Sequence, residues 1–501
     1  MLSNNLKNKH ALIELAQSWA ICNGFILKSQ RGASFQSDPI PFTLTPTPIP
    51  RKAFDKVVAI APLLNTLVDR MSRDSEFINQ SLTHVAQYDD FVKRLLQIYN
   101  ETIPNTRSSY QLAIHRSDYM LHVDEKSGQQ IPQQVELNTI SSAFGALGAT
   151  THKLHSYLQK YRTWLASDYY PEAPLQPNPS LENIVNVMQL AHQTFLKSHS
   201  HHNESSSHSS LLQTPPQYFI LFVVQDGERN IGDQKPYEHM LLEKYGVFVL
   251  RRSMKELIGN VQLVQDDAAT HQPMLLVEKQ HFVSVVYFRS GYTPDDYPTE
   301  AEWEVRRMLE ACSAIKCPSV GVQLVGTKKI QQIMYEDAVL EKFLSKQEAQ
   351  SVKEVFTGIY SLEDTQSIEF IRDAFEHPDD YVLKPQREGG GNLVYGETMK
   401  NYLDILLHHP NHEQYAAIKY TYILMRKIKP QLHQKDIIRQ GQVSSGDCIS
   451  ELGIYGIFLG DGKEELKNTH AGYLLRTKLA SFQDGGVASG VASMDSIYLC
   501  D

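Results

Sequence analysis

Apolar and polar positions along the chain change period repeatedly, and the changes separate helices from strands. In "PTEAEWEVRRMLEACSAIK", Ala301, Val305, Met308, Leu309 and Cys312 recur at helical spacing, and Thr299 with Glu302 has the form of a capping box. "LSKQEAQSVKEVF" repeats that device with Ser345 and Glu348, and residues 1–24 read as an amphipathic helix. Short apolar runs predict strands at "YFILFVV" (218–224), "MLLVE" (274–278), "VSVVYF" (283–288), "YTYILM" (420–425) and "LGIYGIFL" (452–459). Residues 322–325 of "GVQLVGTKK" are strand-like as well. No apolar run approaches membrane-spanning length. The pattern predicts a mixed α/β chain without a short internal repeat.

One stretch carries neither period. Residues 197–216, "KSHSHHNESSSHSSLLQTPP", are rich in serine and histidine and close on prolines, which predicts a solvated linker rather than a metal site. Composition adds little that is unusual. The 501 residues are 42% hydrophobic and 21% charged, enough for more than one domain. A net charge of −9 and a pI near 6.1 give no electrostatic reason to expect nucleic acid or an anionic membrane. Cys22, Cys312, Cys317, Cys448 and Cys500 are odd in number and unpaired in spacing, which suits a reducing compartment. Residues 1–24 lack the features of a signal peptide, so a soluble cytoplasmic protein is expected.

Candidate chemistry begins at "YVLKPQREGGGNLVYGE" (381–397). Gly389, Gly390 and Gly391 lie between two β-like runs, as in a hairpin turn whose bare amides could approach an anion. Lys384 would add a point charge for phosphate, and Glu388 a hard oxygen ligand for Mg²⁺. A surface hairpin with solvated charges is the alternative. In "QVELNTISSAFGALG", Glu136 and Asn138 are two apart in a strand-like run and share a face, as a pair of Mg²⁺ ligands or as an ordinary strand edge. Arg476 and Lys478 share a face in "GYLLRTKLASFQDGGVASGVAS", which continues into a loop of small residues. "HRSDYM" sets Arg116 beside Asp118, suiting a carboxylate-bearing ligand or a plain ion pair. "GVQLVGTKK" is a near miss to a phosphate-binding loop, with Thr and Lys in the wrong order.

"HRSDYM", "ELNTIS", "ERNIGDQ", "YFRSGY", "GTKKIQQ", "LKPQREGGGN", "SELGIYG" and "LLRTK…DGGVASGVA" together resemble eukaryotic-type glutathione synthetase, over residues 114–492. The resemblance implies a permuted ATP-grasp-like fold with an inserted substrate-binding domain and a lid of glycine-rich and alanine-rich loops. Residues 1–216 would begin the main domain, 217–327 form the substrate-binding domain, and 328–501 complete the ATP-grasp-like region. By the same resemblance Glu136, Asn138 and Glu388 hold Mg²⁺. ATP is contacted by Lys328, Lys384, Gly389, Gly390, Gly391, Asn392, Tyr395, Met425, Lys427, Ile428, Glu451, Lys478 and Asp484. γ-Glutamylcysteine is held by Arg116, Ser141, Ser142, Glu228, Asn230, Gln234, Arg289, Tyr292 and Arg476, with Val487 and Ala488 near glycine. A homodimer is also implied. Leu393, Arg426 and Ala143 depart from the family's usual Asn, acidic residue and Ser.

The implied reaction transfers a phosphoryl group from ATP to the dipeptide carboxylate, and the amine of glycine then displaces phosphate. Arg476, Lys328 and Lys384 are the expected catalytic residues, because such a transfer needs positioning and charge neutralisation more than a protein nucleophile. The small residues after Val487 favour glycine over β-alanine as acceptor. A sibling ligase using β-alanine, a non-catalytic nucleotide-binding protein and a hydroxyl kinase are the competing readings.

Overall fold

Side-chain caps fix several helix starts. Thr299 with Glu302 and Ser345 with Glu348 form the predicted capping boxes on the helices Glu300–Ala311 and Lys346–Lys353. The N-terminal segment forms the helix Leu2–Cys22, burying Leu12, Ala16 and Ala20. The computed structural model describes residues 2–29, 36–106, 109–162, 170–199, 217–265, 272–387, 392–482, 485–487 and 489–501.

Among these residues the largest sheet has seven strands. They run in the order His433–Arg439, Phe42–Thr43, Ser493–Asp495, Glu465–Leu479, Gln442–Gly460, Gln111–Val123, Gln130–Asn138. The start of Gln442–Gly460 also turns back to pair with His433–Arg439. Both faces are covered, so the apolar run at 452–459 is continuous rather than alternating. Leu452, Ile454 and Phe458 pack with the helix Arg51–Arg73, while Tyr455, Ile457 and Leu459 pack with Gly145–Gln159 and Ser180–His199. Side chains such as Leu64 and Leu147 close those two layers.

A second sheet is drawn wholly from residues 218–317. Val249–Ser253, Tyr218–Val224, His281–Phe288, Met274–Val277 and Val261–Val264 follow in that order, with Ile315–Cys317 also paired to His281–Phe288. The third sheet is antiparallel, with Tyr422–Arg426 between Ile359–Ser361 and Tyr381–Pro385. One of its faces meets the helices Ile368–Glu376 and Gly396–His408 around Leu383, Leu424, Met399 and Leu403. The other presents Val382, Lys384 and Met425 to a cleft against the seven-stranded sheet.

Four expectations need correction. Residues 322–325 belong to the helix Val320–Val325, started by the Ser319 side chain accepting from the Val322 amide at 3.3 Å. Every residue of that helix is buried, so its apolar run carries no period that could separate helix from strand. The run 420–425 is split, because Tyr420 and Thr421 end the helix Tyr415–Thr421 and the strand starts at Tyr422. The second arm of the expected hairpin is a single bridge, Leu383 to Val394, before the helix Gly396–His408 begins. Lys197, Ser198 and His199 finish the helix Ser180–His199 instead of belonging to a linker, and the rest of that stretch lies outside the described residues.

Candidate functional site: a cleft between two sheets

Register brings the first group of polar side chains together. Across neighbouring strands Arg116 lies opposite Asn138, Asp118 opposite Glu136, and Glu451 opposite Arg476. Asp118 is fully buried and accepts from Arg116 Nε at 2.7 Å and Nη2 at 2.9 Å. It also accepts from Arg476 Nη2 at 2.9 Å and from Asn138 Nδ2 at 2.9 Å. Arg476 reaches Glu451 with the same nitrogen. Gly453, opposite Asp118, leaves the room: a Cβ there would lie 2.5 Å from Asp118 Oδ1 and 2.7 Å from Arg116 Cδ. Both arginines are therefore held in place by one carboxylate before any ligand arrives.

Gln130–Asn138 ends the sheet, and its outer edge is finished by a side chain. Gln331 accepts from the Leu137 amide at 3.1 Å and donates to the Leu137 carbonyl at 3.2 Å and the Gly326 carbonyl at 2.7 Å. The helix carrying Gln331, Lys328–Met334, also delivers Lys328, whose Nζ is 3.2 Å from Glu136 Oε2. Lys384 crosses from the three-stranded sheet and donates to the Val135 carbonyl at 2.8 Å. Burial works to raise the pKa of Glu136, but Lys328, Lys384, Arg476 and Arg116 outweigh it and hold the carboxyl well below its usual range. Asn138 Nδ2 also donates to Glu136 Oε1 at 3.2 Å.

The cleft runs outward from this cluster. Its inner end, about 120 Å³, is lined by Glu136, Lys384, Glu451, Arg476 and Lys478, with Gly485 and Gly486 at one side. Its outer end, about 260 Å³, is mostly apolar: Val382, Met425, Ile428 and Phe482 line it beside Arg426 and Lys427, and Met120, Ile449, Leu393, Lys384, Glu451 and Lys478 are shared between the two ends. Tyr395 and Lys427 stand at the outer end, the ammonium 5.2 Å from the ring centroid. Arg426 folds over the Tyr381 ring at 5.5 Å, donates to the Tyr381 hydroxyl at 3.3 Å and lies 3.7 Å from Asp373 Oδ2.

A second polar group lies across residues 141–144. Glu228 accepts from the Asn230 amide at 2.7 Å and from Gln234 Nε2 at 2.6 Å. Arg289 Nη1 donates to the Ser142 carbonyl at 3.2 Å, and its Nη2 lies 3.5 Å from Asp233 Oδ2. Asp233 accepts from the amides of Phe144 at 2.8 Å, Ala146 at 3.0 Å and Leu147 at 3.4 Å, capping the helix Gly145–Gln159 from another part of the chain. Burial raises its pKa against the pull of Arg289 and those amides. From the opposite side Arg116 Nη1 donates to the Ala143 carbonyl at 3.1 Å, as does the Tyr455 hydroxyl at 2.5 Å. Ser141 Oγ donates to the Phe288 carbonyl and Ser142 Oγ to the Asn138 carbonyl, each at 3.2 Å. Among the described residues Asn230 Oδ1, Gln234 Oε1, Arg289 Nε and Ser290 Oγ are buried without a hydrogen-bond partner. Buried polar atoms left in this state point to a ligand or water that satisfies them.

Comparison with known proteins gives the chain its family. A family model described as "Eukaryotic glutathione synthase, ATP binding domain" matches residues 6–499. The chain is 39% identical to the chloroplastic glutathione synthetase of Solanum lycopersicum, over 92% of this chain and 77% of that one. It is 35% identical to the glutathione synthetase of Xenopus laevis over 99% of this chain and 98% of that one. The chain belongs to the eukaryotic glutathione synthase family. It is an ATP-dependent ligase. A glutathione synthetase-like effector from Globodera pallida in its apo form shares the fold, with a TM-score of 0.72 at 19% identity over 98% of this chain and 96% of that one. The ATP-grasp-like α/β fold is thereby established.

Within this glutathione synthase frame, the structure gathers Glu136, Asn138, Lys328, Lys384, Glu451, Arg476 and Lys478 at one end of the cleft. Asn392 is exposed nearby, and Tyr292 is half-buried with its amide on Asp296 Oδ2 at 3.1 Å. Val487 is 1% exposed and packs its side chain in the core. Glu388, Gly389, Gly390, Gly391, Asp484 and Ala488 lie outside the described residues. Gln331, Gly453 and Asp233 shape the site, yet none was assigned a role from sequence, and Asp118, read there beside Arg116 as one of a pair, turns out to hold Arg476 as well. Asp118 shares a strand face with Arg116, and that spacing was the available signal. The contacts of Gln331 and Asp233 join residues far apart in the chain and leave no local pattern.

Proposed function

We infer that this enzyme joins γ-glutamylcysteine to glycine, using the long cleft for ATP and the polar group around Glu228, Asn230, Gln234 and Arg289 for the dipeptide. One observation carries the reading: an apolar slot opens into a cluster where Arg116, Lys328, Lys384, Arg476 and Lys478 outnumber Asp118, Glu136 and Glu451. An adenine base suits the slot and a triphosphate the cations. Among the described residues no group of three or more His, Cys, Asp or Glu could hold a metal unaided. Glu136 and the Asn138 amide oxygen instead suit Mg²⁺, which prefers hard oxygens and keeps phosphate and water in its shell. Bound there, it would neutralise charge on the transferring phosphoryl group.

The residues then divide the work. Lys328, Lys384 and Lys478 hold the phosphates. Arg116 and Arg476, already locked by Asp118, face the dipeptide carboxylate. An oxygen of that carboxylate attacks the γ-phosphorus, the bond to ADP breaks, and an acyl phosphate forms. The glycine amine adds to the acyl carbon, phosphate leaves, and the amine gives up its proton. Arg476 stabilises the charge that grows at this carbon. The unit built from residues 217–327 serves the γ-glutamyl end: the unpartnered Asn230 and Gln234 oxygens can accept from an α-ammonium, and Arg289 Nε can donate to an α-carboxylate.

The enzyme acts in the cytoplasm as a homodimer in this reading; the free cysteines Cys22, Cys312, Cys317, Cys448 and Cys500 fit a reducing compartment. The deciding assay follows ADP release by purified protein. Release should require Mg²⁺ and γ-glutamylcysteine, and tripeptide should form only with glycine present. ADP formed without any amide product would make it a kinase. β-Alanine working as well as glycine would leave the ligase chemistry and remove the acceptor assignment.

A further inference from the structure

Phe482 is 42% exposed although it lines the apolar end of the cleft. It follows the strand Glu465–Leu479, and its backbone is tied to the end of that strand. The Phe482 amide donates to the Leu479 carbonyl at 3.1 Å, and the Ala480 amide to the Asp447 carbonyl at 2.8 Å. The ring therefore belongs to the wall of the seven-stranded sheet, beside Met120 and Ile449, while Met425 and Ile428 belong to the opposite wall. A phenyl ring held at the mouth of an apolar slot keeps part of its face in water until something flat and apolar covers it. The other end of the same slot is cationic, with Lys384 and Lys478 common to both ends. An occupant that is aromatic at one end and polyanionic at the other is a nucleotide.

We propose that Phe482 is a base-recognition residue: its ring stacks on the purine of the bound nucleotide and sets nucleotide affinity without touching the reacting atoms. This rests on the ATP reading of the cleft. It also separates two parts of that site, because stacking acts on the base while the lysines act on the phosphates. Base–aromatic stacking is of a size to change affinity roughly 5- to 100-fold when the ring is removed.

The test compares wild type with Phe482→Ala, Phe482→Leu and Phe482→Trp. Calorimetry gives the Kd for ADP, inhibition gives the affinity for inorganic tripolyphosphate, which has no base, and steady-state assays give the KM for each substrate. In Phe482→Ala, ADP binding should weaken and KM for ATP rise by about that factor, with kcat, the dipeptide KM and tripolyphosphate inhibition unchanged. Phe482→Trp should restore ADP affinity, and its indole fluorescence should be quenched on adding ADP. Phe482→Leu, apolar but not aromatic, should stay impaired. Unchanged ADP affinity in the Ala variant overturns the proposal, and so does full affinity in the Leu variant. An equal loss of ADP and tripolyphosphate binding overturns it as well, since that is a distortion of the whole cleft. If wild type binds neither probe, the ATP reading of the cleft fails first.

Discussion

Two arginines converge on Asp118, and their positions depend on a carboxylate that no substrate can reach. Replacing it with Asn would keep the shape and remove the charge, leaving Arg116 and Arg476 side by side with less compensation. Breaking a buried ion pair from one side typically costs about 3–5 kcal/mol. Asp118→Asn should therefore lower the melting temperature as well as activity; an unchanged melt would show that Glu136 and Glu451 compensate. Glu136 behaves differently, being half-buried and surrounded by excess positive charge. The cations that hold its pKa down are stabilised by its charge in return, so Glu136→Gln should lower the melt, though by less than Asp118→Asn does. It should also lower kcat by about 100-fold or more, the scale of losing one electrostatic contact to a transition state. Both measurements are needed, because a fall in activity that tracks a fall in stability would place Glu136 among the structural residues.

Elements explain why some of this was legible in sequence. Glu136 with Asn138, and Arg476 with Lys478, were found because a two-residue period puts each pair on one strand face, and both strands have one face on the cleft. Val320–Val325 was misread because burial on all sides erases the period. The Gln331 contacts could not be read because they bind a helix to an edge strand nearly two hundred positions earlier in the chain. Gln331→Leu would leave the Leu137 amide and carbonyl unpaired, at about 1–3 kcal/mol for each buried group. Its melt should drop, and its Mg²⁺ requirement should rise as Glu136 and Asn138 lose their backing. The helix Gly145–Gln159 carries another buried link. His155 Nδ1 lies 2.7 Å from Ser496 Oγ and Nε2 lies 2.8 Å from the Thr43 carbonyl. Burial pushes its pKa down from 6.5 to about 4, with Asp495 and the Thr43 bond opposing. Between those values the unfolded chain takes up the proton and the folded one does not. The stabilisation is complete above 6.5 and falls by about 3 kcal/mol as pH approaches 4. A melting series over that window should show the decline, and His155→Gln should flatten it; an equal slope in the variant would assign the decline elsewhere.

At the scale of the molecule, stability is unevenly spread. The three-stranded sheet has a small core of its own around Leu383, Leu424, Met399 and Leu403, whereas the seven-stranded sheet is sandwiched between two large ones. Regions with few buried contacts open more often than the core. Amide exchange within Tyr381–Pro385 and Tyr422–Arg426 should therefore outpace exchange at residues 452–459 in the free enzyme. A nonhydrolysable ATP analogue, bridging both walls of the cleft, should slow the first two strands selectively. Uniform protection across all three would mean that the molecule opens as one unit.

Asp233 has a consequence for anyone recombining this scaffold. It sits among residues 218–317, yet the amides it caps belong to Phe144, Ala146 and Leu147. Ser141 and Phe144 hold left-handed backbone angles, φ 52° and 74°, beside those contacts. A chimaera that imports residues 218–317 from a ligase with another dipeptide preference would inherit the carboxylate without its own matching turn. A graft of residues 141–147 alone would inherit the turn without its counter-charge. Substrate preference in this architecture is therefore portable only as a paired cassette, and directed-evolution libraries that shuffle the two segments independently would consist mostly of mismatched proteins.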